Sequence, residues 1–340
     1  MAATIKDIAS KTGLGLATIS KYLNGGNVRE ENRAAIESAI RALDYNANVF
    51  ARGLKSKRSR TVGVIIPDLS NLFITSILTT VQNILQKDEY AMLVCDCRTD
   101  MELERKSVSF LVGKGVDGII NMPVTQDGSH LMAAIDRNLP IVLVDRMITA
   151  YTASVDAVLI DNREASGHAV RHFLENGHLR IGIVVGPQEV YTSRERLQGY
   201  REALDSAGLP YDPALVRFSP YTLQGGYDLM KQLYASRTGM TAVLVTNYEM
   251  ALGAVMALNE LNVRIPADLS LIGFDDMLLY SAVSPRLTIV EQPLEVIGSQ
   301  VAQLILERLS GKENGPAKAV TLPAKLQVGA SVRPARHIRT

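Results

Sequence analysis

At 340 residues, with 47% hydrophobic residues and a mean hydropathy of +0.08, the chain is long enough for two or three domains with ample core. No apolar run is long enough for a membrane span and none follows the basic N-terminal residues as in a signal peptide. The two cysteines, Cys95 and Cys97, have one residue between them, a spacing that suits neither a metal knuckle nor a redox pair. The net charge of +1 hides an asymmetry. Residues 1–60 carry eleven Lys and Arg against five Asp and Glu, which leaves the remainder five charges negative. A basic head on an acidic body is the footprint of a nucleic-acid binder whose other part does something else, although a solvated charged face would also produce it.

The first elements are short helices. Thr4 is placed to cap a helix with Asp7 in capping-box register, and Ile5, Ile8 and Ala9 form its buried stripe. Gly13-Leu14-Gly15 makes a turn. A second helix buries Ile19 and Leu23 and turns Leu16, Ala17, Ser20 and Lys21 outward. A third, Arg29 to Leu43, places Ala35, Ile36, Ala39, Ile40 and Leu43 at helical spacing. Two short helices joined by a glycine turn fit the major groove of DNA. The stretch 46–60, NANVFARGLKSKRSR, is too polar for a core element and reads as a basic linker or marginal helix.

From Thr61 the texture changes. VGVII (62–66), YAMLVCD (90–96), GIINM (118–122), IVLVD (141–145), IGIVVG (181–186), AVLVT (242–246) and LSLIGFD (269–275) are short apolar runs. Amphipathic segments lie between most of them, among them Ile74–Gln86, Glu102–Gly113, Glu164–Asn176 and Arg194–Ala207. The alternation predicts two doubly wound α/β units with parallel sheets, roughly 61–160 and 162–290, and ligand at the strands' carboxyl ends. A late helix, Gln292 to Leu309, returns to the first unit. Cys95 and Cys97 are expected to be buried thiols in a reducing cytosol.

No P-loop, no GxGxxG opening a helix and no G-x-S-x-G elbow is present, so no common enzyme motif is met. His168 and His172 stand at i, i+4, half of a metal site with no third ligand nearby, and a surface or helix-packing role is expected. His178, after Gly177, is expected at a helix C-terminus, facing the dipole.

TIKDIASKTG…ATISKYLN, the AR-G-LK hinge and the two α/β units together resemble the LacI/GalR family of bacterial repressors. DNREAS (161–166), the Gly177-His178 pair, RERLQGYREAL (194–204), EMALGAV (249–255), LSLIGFDD (269–276) and SPRLTIVEQP (284–293) follow in matching order. The resemblance covers essentially the whole chain. It implies a helix-turn-helix headpiece (1–46), a hinge helix (47–60) and a two-lobed body of the periplasmic-binding-protein type. The N-lobe would comprise 61–160 with 292–325 and the C-lobe 161–291 with 326–340.

By the same resemblance the DNA-binding residues are Thr4, Leu16, Ala17, Thr18, Lys21, Asn24, Arg52, Leu54 and Lys55. Lys21 would donate to guanine acceptors or to phosphate, and Leu16 or Ala17 would meet thymine methyl groups. Leu54 would wedge between base steps in the minor groove, with Ala51 packing on the dimer mate. The body resembles ribose-binding protein at its pocket, which implies effector contacts from Asn71, Phe73, Asp145, Arg146, Arg196, Tyr221, Asn247, Asp275 and Gln292. Two residues depart from the pattern. Ile74 replaces a second aromatic, and Tyr248 replaces the acid that usually follows Asn247.

The implied protein is a homodimeric transcriptional regulator, most simply a repressor, in a bacterial cytoplasm on the nucleoid. It would bind operator DNA under control of a small-sugar effector, with no metal or other cofactor. A purine or nucleoside effector, a stand-alone sugar-binding protein and a sugar-modifying enzyme are the competing readings, and a phosphocarrier partner is left open. The absence of leucine heptads before Thr340 leads us to expect no tetramer coil.

Overall fold

The computed structural model describes residues 3–23, 26–45, 58–275, 283–311 and 315–335. Asn24, most of the hinge with Arg52, Leu54 and Lys55, and residues 276–282 lie outside that set. The chain divides into two compact units, Met1–Ser59 and Arg60–Thr340.

The first unit holds three helices, α1 (Ile5–Thr12), α2 (Leu16–Leu23) and α3 (Glu30–Leu43). The Thr4 amide and hydroxyl both donate to the Asp7 carboxylate at 2.7 Å, which holds that exposed carboxyl below its ordinary pKa. Gly13 ends α1 in the left-handed conformation (φ 69°), where a side chain would be strained, and so sets the turn into α2. Ile8, Ile19, Ile36 and Ala39 form the buried centre, flanked by Leu14, Tyr22, Leu23, Ile40 and Leu43. The Tyr22 hydroxyl donates to Glu37 at 2.8 Å and Arg33 pairs with the same carboxylate, fastening α2 to α3. Ala35 is exposed and Ser20 half-buried, contrary to the helical-wheel reading. In so small a bundle the core needs only one stripe per helix.

The second unit is two lobes, each with a six-stranded sheet. The strands β1 (Thr61–Ile66), β2 (Ala91–Asp96), β3 (Gly118–Asn121), β4 (Ile141–Val144), β5 (Asp156–Ile160) and β11 (Ala319–Leu322) make the first, in the order β11-β5-β4-β3-β1-β2. The second, ordered β12-β10-β9-β8-β6-β7, contains β6 (Ile181–Val185), β7 (Val216–Phe218), β8 (Ala242–Val245), β9 (Ser270–Phe274), β10 (Thr288–Glu291) and β12 (Lys325–Gln327). All pairings are parallel except β10 with β12. The seven predicted apolar runs are all strands. Strands β5, β7, β10, β11 and β12 went unpredicted, most of them because they are three or four residues long or alternately exposed.

The helices α4 (Leu72–Lys87), α5 (Met101–Lys114), α6 (Met132–Ile135), α7 (Asn162–Glu175), α8 (Tyr191–Ser206), α9 (Leu223–Ala235), α10 (Tyr248–Glu260) and α11 (Leu294–Ser310) complete the unit. The chain passes between the lobes three times: from β5 to α7, from β10 to α11, and from β11 to β12. Both sheets place β-strand carboxyl ends toward one cleft, with the topological switch points at β1/β3 and β6/β8. No helix among the described residues is long and apolar enough to cross a membrane.

Cys97 is buried and its thiol is pushed up to about 12 by that burial, but Cys95 is only half-buried, because edge strand β2 has no neighbour on one side. His178 does not face a helix dipole. Its backbone closes the end of α7, while the buried ring bridges Thr241 Oγ1 and the Arg333 carbonyl, both at 2.9 Å, and burial lowers its pKa. His168 Nε2 lies 2.8 Å from Glu164 Oε1 on the exposed face of α7.

Candidate functional site

In the headpiece, packing decides which face of α2 is available. Ile19, Tyr22 and Leu23 turn inward. Leu16, Ala17 and Lys21 are exposed and Thr18 half-exposed along the other side, so the four described candidates on this helix share one outward edge. Thr4 is exposed at the start of α1 with its hydroxyl engaged by Asp7.

In the body, a cavity of about 350 Å³ lies between the lobes, and all nine expected effector residues line it. Asn71 and Phe73 enter from the start of α4, and Asp145 and Arg146 from the end of β4. Arg196 comes from α8, Tyr221 from the loop before α9, Asn247 from the start of α10, Asp275 from the end of β9 and Gln292 from the crossing into α11.

Asp145 and Asp275 occupy equivalent positions in the two sheets and share a backbone conformation, with φ of 63° and 73°. Left-handed aspartate is uncommon, and held at a strand end it turns both carboxylates into the cleft. The Asp145 amide donates to the Val158 carbonyl and the Asp275 amide to the Val290 carbonyl, which fixes each turn on the neighbouring strand. Burial raises both carboxyls, Asp145 against the pull of Arg146 and Arg196. Asp275 goes up to about 6 against Arg196 and Gln292, with Asp145 adding to the rise.

Arg196 is buried and stacked with its guanidinium 3.9 Å from the Phe274 ring centre. It donates from Nε to Asn162 Oδ1 at 2.7 Å and from Nη1 to the Thr246 carbonyl at 2.5 Å. Arg146 donates from Nη1 to the Pro123 carbonyl at 3.1 Å, keeps Nε 3.5 Å from Asp145 Oδ2, and lies 5.9 Å from the Tyr221 ring across the cleft. Gln292 donates to Asp275 Oδ1. The Tyr221 hydroxyl is held by Ser193 Oγ (2.5 Å) and Thr192 Oγ1 (3.1 Å), leaving its ring to line the wall. An ideal Cβ at Gly186 would lie 2.3 Å from that ring, so the strand end needs glycine there.

The two asparagines do more than face a ligand. Each caps a helix: Asn71 accepts from the Ile74 amide at 3.2 Å and Asn247 from the Met250 amide at 3.1 Å. Asn71 also donates to Glu249 Oε1 at 3.0 Å, and the Leu72 amide donates to the Tyr248 hydroxyl at 3.3 Å, two bonds that join the lobes across the cleft. The acid missing after Asn247 is thus present one residue later. Glu249, Thr192 and the Arg196 partner Asn162 were not singled out from sequence, although Glu249 and Asn162 stand inside the motifs EMALGAV and DNREAS. Among the described residues no cluster of three His, Cys, Asp or Glu is placed to hold a metal ion.

A carboxylate pair, two arginines, two asparagines, a glutamine and aromatic walls can together hydrogen-bond and cover a small hydroxylated molecule. Residues 4–48 match the family of bacterial regulatory proteins of the lacI type, and residues 170–332 match a periplasmic binding protein-like domain. The chain is 32% identical over 335 residues to catabolite control protein A of Priestia megaterium, covering 98% of this chain and 100% of that one. It is 33% identical over 319 residues to the HTH-type transcriptional repressor CytR of Escherichia coli K12, covering 92% of each. The solved complex of the transcriptional regulator CelR with cellobiose is 29% identical and superposes with a TM-score of 0.75, over 97% of this chain and 100% of that one. The chain therefore belongs to the LacI family of bacterial transcriptional regulators, and it is a DNA-binding regulator rather than an enzyme.

Proposed function

We propose that the chain is a homodimeric repressor whose operator affinity is set by a small sugar bound between its lobes. The observation that carries this reading is the convergence of all nine expected polar and aromatic residues on one interlobe cavity, in a chain that also presents an exposed recognition edge on α2. The CelR relative binds cellobiose, which supports a sugar in the corresponding place. Leu16, Ala17 and Lys21 read base edges in each half-site, with Arg52 and Lys55 near phosphates, Thr4, Thr18 and Asn24 as further DNA contacts and Leu54 as the minor-groove wedge. A two-fold dimer matches a two-fold operator. Exposed Leu72, Met101, Leu103 and Phe110 on α4 and α5, the helices that pack on edge strand β2, supply apolar surface for the dimer contact. The protein works in the bacterial cytoplasm, at its operators on the nucleoid.

The test is selection of duplexes from a random DNA pool by the purified protein, with binding repeated for Lys21→Ala. The expected product is a pseudo-palindrome, and the variant relaxes one position of each half-site by about 1–3 kcal/mol. Retention of no duplex, or of duplexes without two-fold symmetry, would contradict the dimeric reading.

A further inference from the structure

Resting on the effector-pocket reading, we propose that this pocket takes an uncharged polyhydroxyl ligand, a sugar or glycoside without phosphate, and rejects the phosphorylated form of the same compound. Seven buried side-chain polar atoms lack a hydrogen-bond partner among the described residues, and three of them are Asp145 Oδ1, Arg146 Nε and Gln292 Oε1. All three belong to side chains that line the cavity. Buried groups left unpaired in this way are costly, and a ligand that completes them gains accordingly.

The unpaired set is two acceptors and one donor. A hydroxyl group is both donor and acceptor. One hydroxyl donating to Asp145 Oδ1 while a neighbour accepts from Arg146 Nε, with a third donating to Gln292 Oε1, would complete all three. A phosphate dianion only accepts. Placed among these three atoms it could answer Arg146 but would leave both oxygens unpaired, so the remaining hydroxyls of a phosphorylated sugar could complete them only with its phosphate held elsewhere in the cavity.

The charge balance points the same way. Asp68, Asp145, Glu249 and Asp275 line the cavity against Arg98, Arg146 and Arg196. Both buried arginines already give donors to the protein, Arg196 to Asn162 and Thr246 with its face on the Phe274 ring, and Arg146 from Nη1 to the Pro123 carbonyl, while Arg146 Nε has only the 3.5 Å ion-pair approach to Asp145 Oδ2 and no hydrogen bond. Arg98 is exposed, where solvent and salt weaken its hold on an anion.

Helix N-termini are the other common phosphate holders, and those of α4 and α10 are closed. Asn71 and Asn247 take the Ile74 and Met250 amides, and the Tyr248 hydroxyl takes the Leu72 amide. The start of α8 has Val190 at its cap and no side-chain bond. Thr222 caps α9 through the Gly225 amide, so among the helix starts at the cavity that of α8 is the one without a side-chain cap, and it stands beside the Tyr221 hydroxyl that Thr192 and Ser193 already hold.

The experiment is isothermal titration of the full chain at pH 7.5 with ribose, glucose, galactose, cellobiose, adenosine and cytidine. Ribose 5-phosphate, glucose 6-phosphate, galactose 1-phosphate, AMP and CMP are titrated beside them. At least one neutral compound is expected to bind saturably, its phosphate at least 100-fold more weakly, and Asp145→Asn to weaken the neutral ligand at least tenfold while keeping its melting transition. Equal or tighter binding of a phosphate, no binding by any neutral member, or an unchanged affinity in Asp145→Asn would overturn the proposal. Selection from the DNA pool separates the two readings. Sugar binding with no DNA retained would refute the regulator and leave this inference standing. A phosphate ligand that alters DNA binding would refute this inference alone.

Discussion

Asp275 stores a measurable signal. Its folded pKa of about 6 lies above the ordinary 3.8, so between these values the folded chain holds a proton that the unfolded chain has released. That contribution favours folding at low pH and is lost as pH rises through about 6. A ligand hydroxyl donating to the ionised carboxylate reverses the sign for binding, with Arg196, Gln292 and Asp145 facing the same group. Effector affinity is expected to rise about tenfold from pH 5 to 7, the limit for one group of that pKa. Titration across this range checks it, and a flat or falling profile would count against an ionised Asp275 in the complex. Gly186→Ala tests the opposite wall. Its methyl group cannot coexist with the Tyr221 ring, so effector affinity should fall at least tenfold, as measured by the same titration, while the melting transition of the body persists. At this scale the sequence was informative where a motif names a side chain. It was silent where the role depends on a distant partner. Nothing near Asp156 indicates that Arg308 pairs with it through two bonds of 2.7 and 2.8 Å, and nothing near Tyr248 or Glu249 indicates their partners on α4.

Among the elements, helix and strand period was legible wherever a stripe or run spans several residues, as in the seven apolar strands and helices α4, α5, α7 and α8. Short edge strands escaped because β7, β11 and β12 span only three or four positions, with β11 and β12 exposing alternate residues and β7 becoming steadily more exposed along its length. In the headpiece, Ile19 is fully buried, and Ile19→Ala is expected to cost about 2–5 kcal/mol, as buried large-to-small changes do. In so small a unit that loss unfolds α1 to α3 and abolishes DNA binding. Calorimetry should show the melting transition of the body and its effector titration unchanged, because the two units are separately compact. The N-termini of α4 and α10 meet through Tyr248 and Glu249, a substitution of chemistry rather than a loss. Tyr248→Phe with Glu249→Ala removes both cross-lobe bonds. At about 0.5–1.5 kcal/mol for each net hydrogen bond, the lobes should open, with a larger radius of gyration by small-angle scattering and effector affinity at least threefold weaker. Unchanged scattering and affinity would show that these bonds do not hold the cleft.

For the whole molecule, the proposed function makes the exposed edge of α2 in one unit and the interlobe cavity in the other the two ends of a switch. The resemblance carried over the order of the parts, since the family motifs span the chain, but it did not carry over which side chains bridge the lobes. Coupling between the two ends is a free energy and must be reciprocal. The most direct measurement titrates effector into the protein alone and into the protein saturated with its selected operator, and titrates operator with and without effector. The account predicts that both affinities change, by the same factor of fivefold or more. Effector binding that is indifferent to operator, with operator binding indifferent to effector, would contradict it.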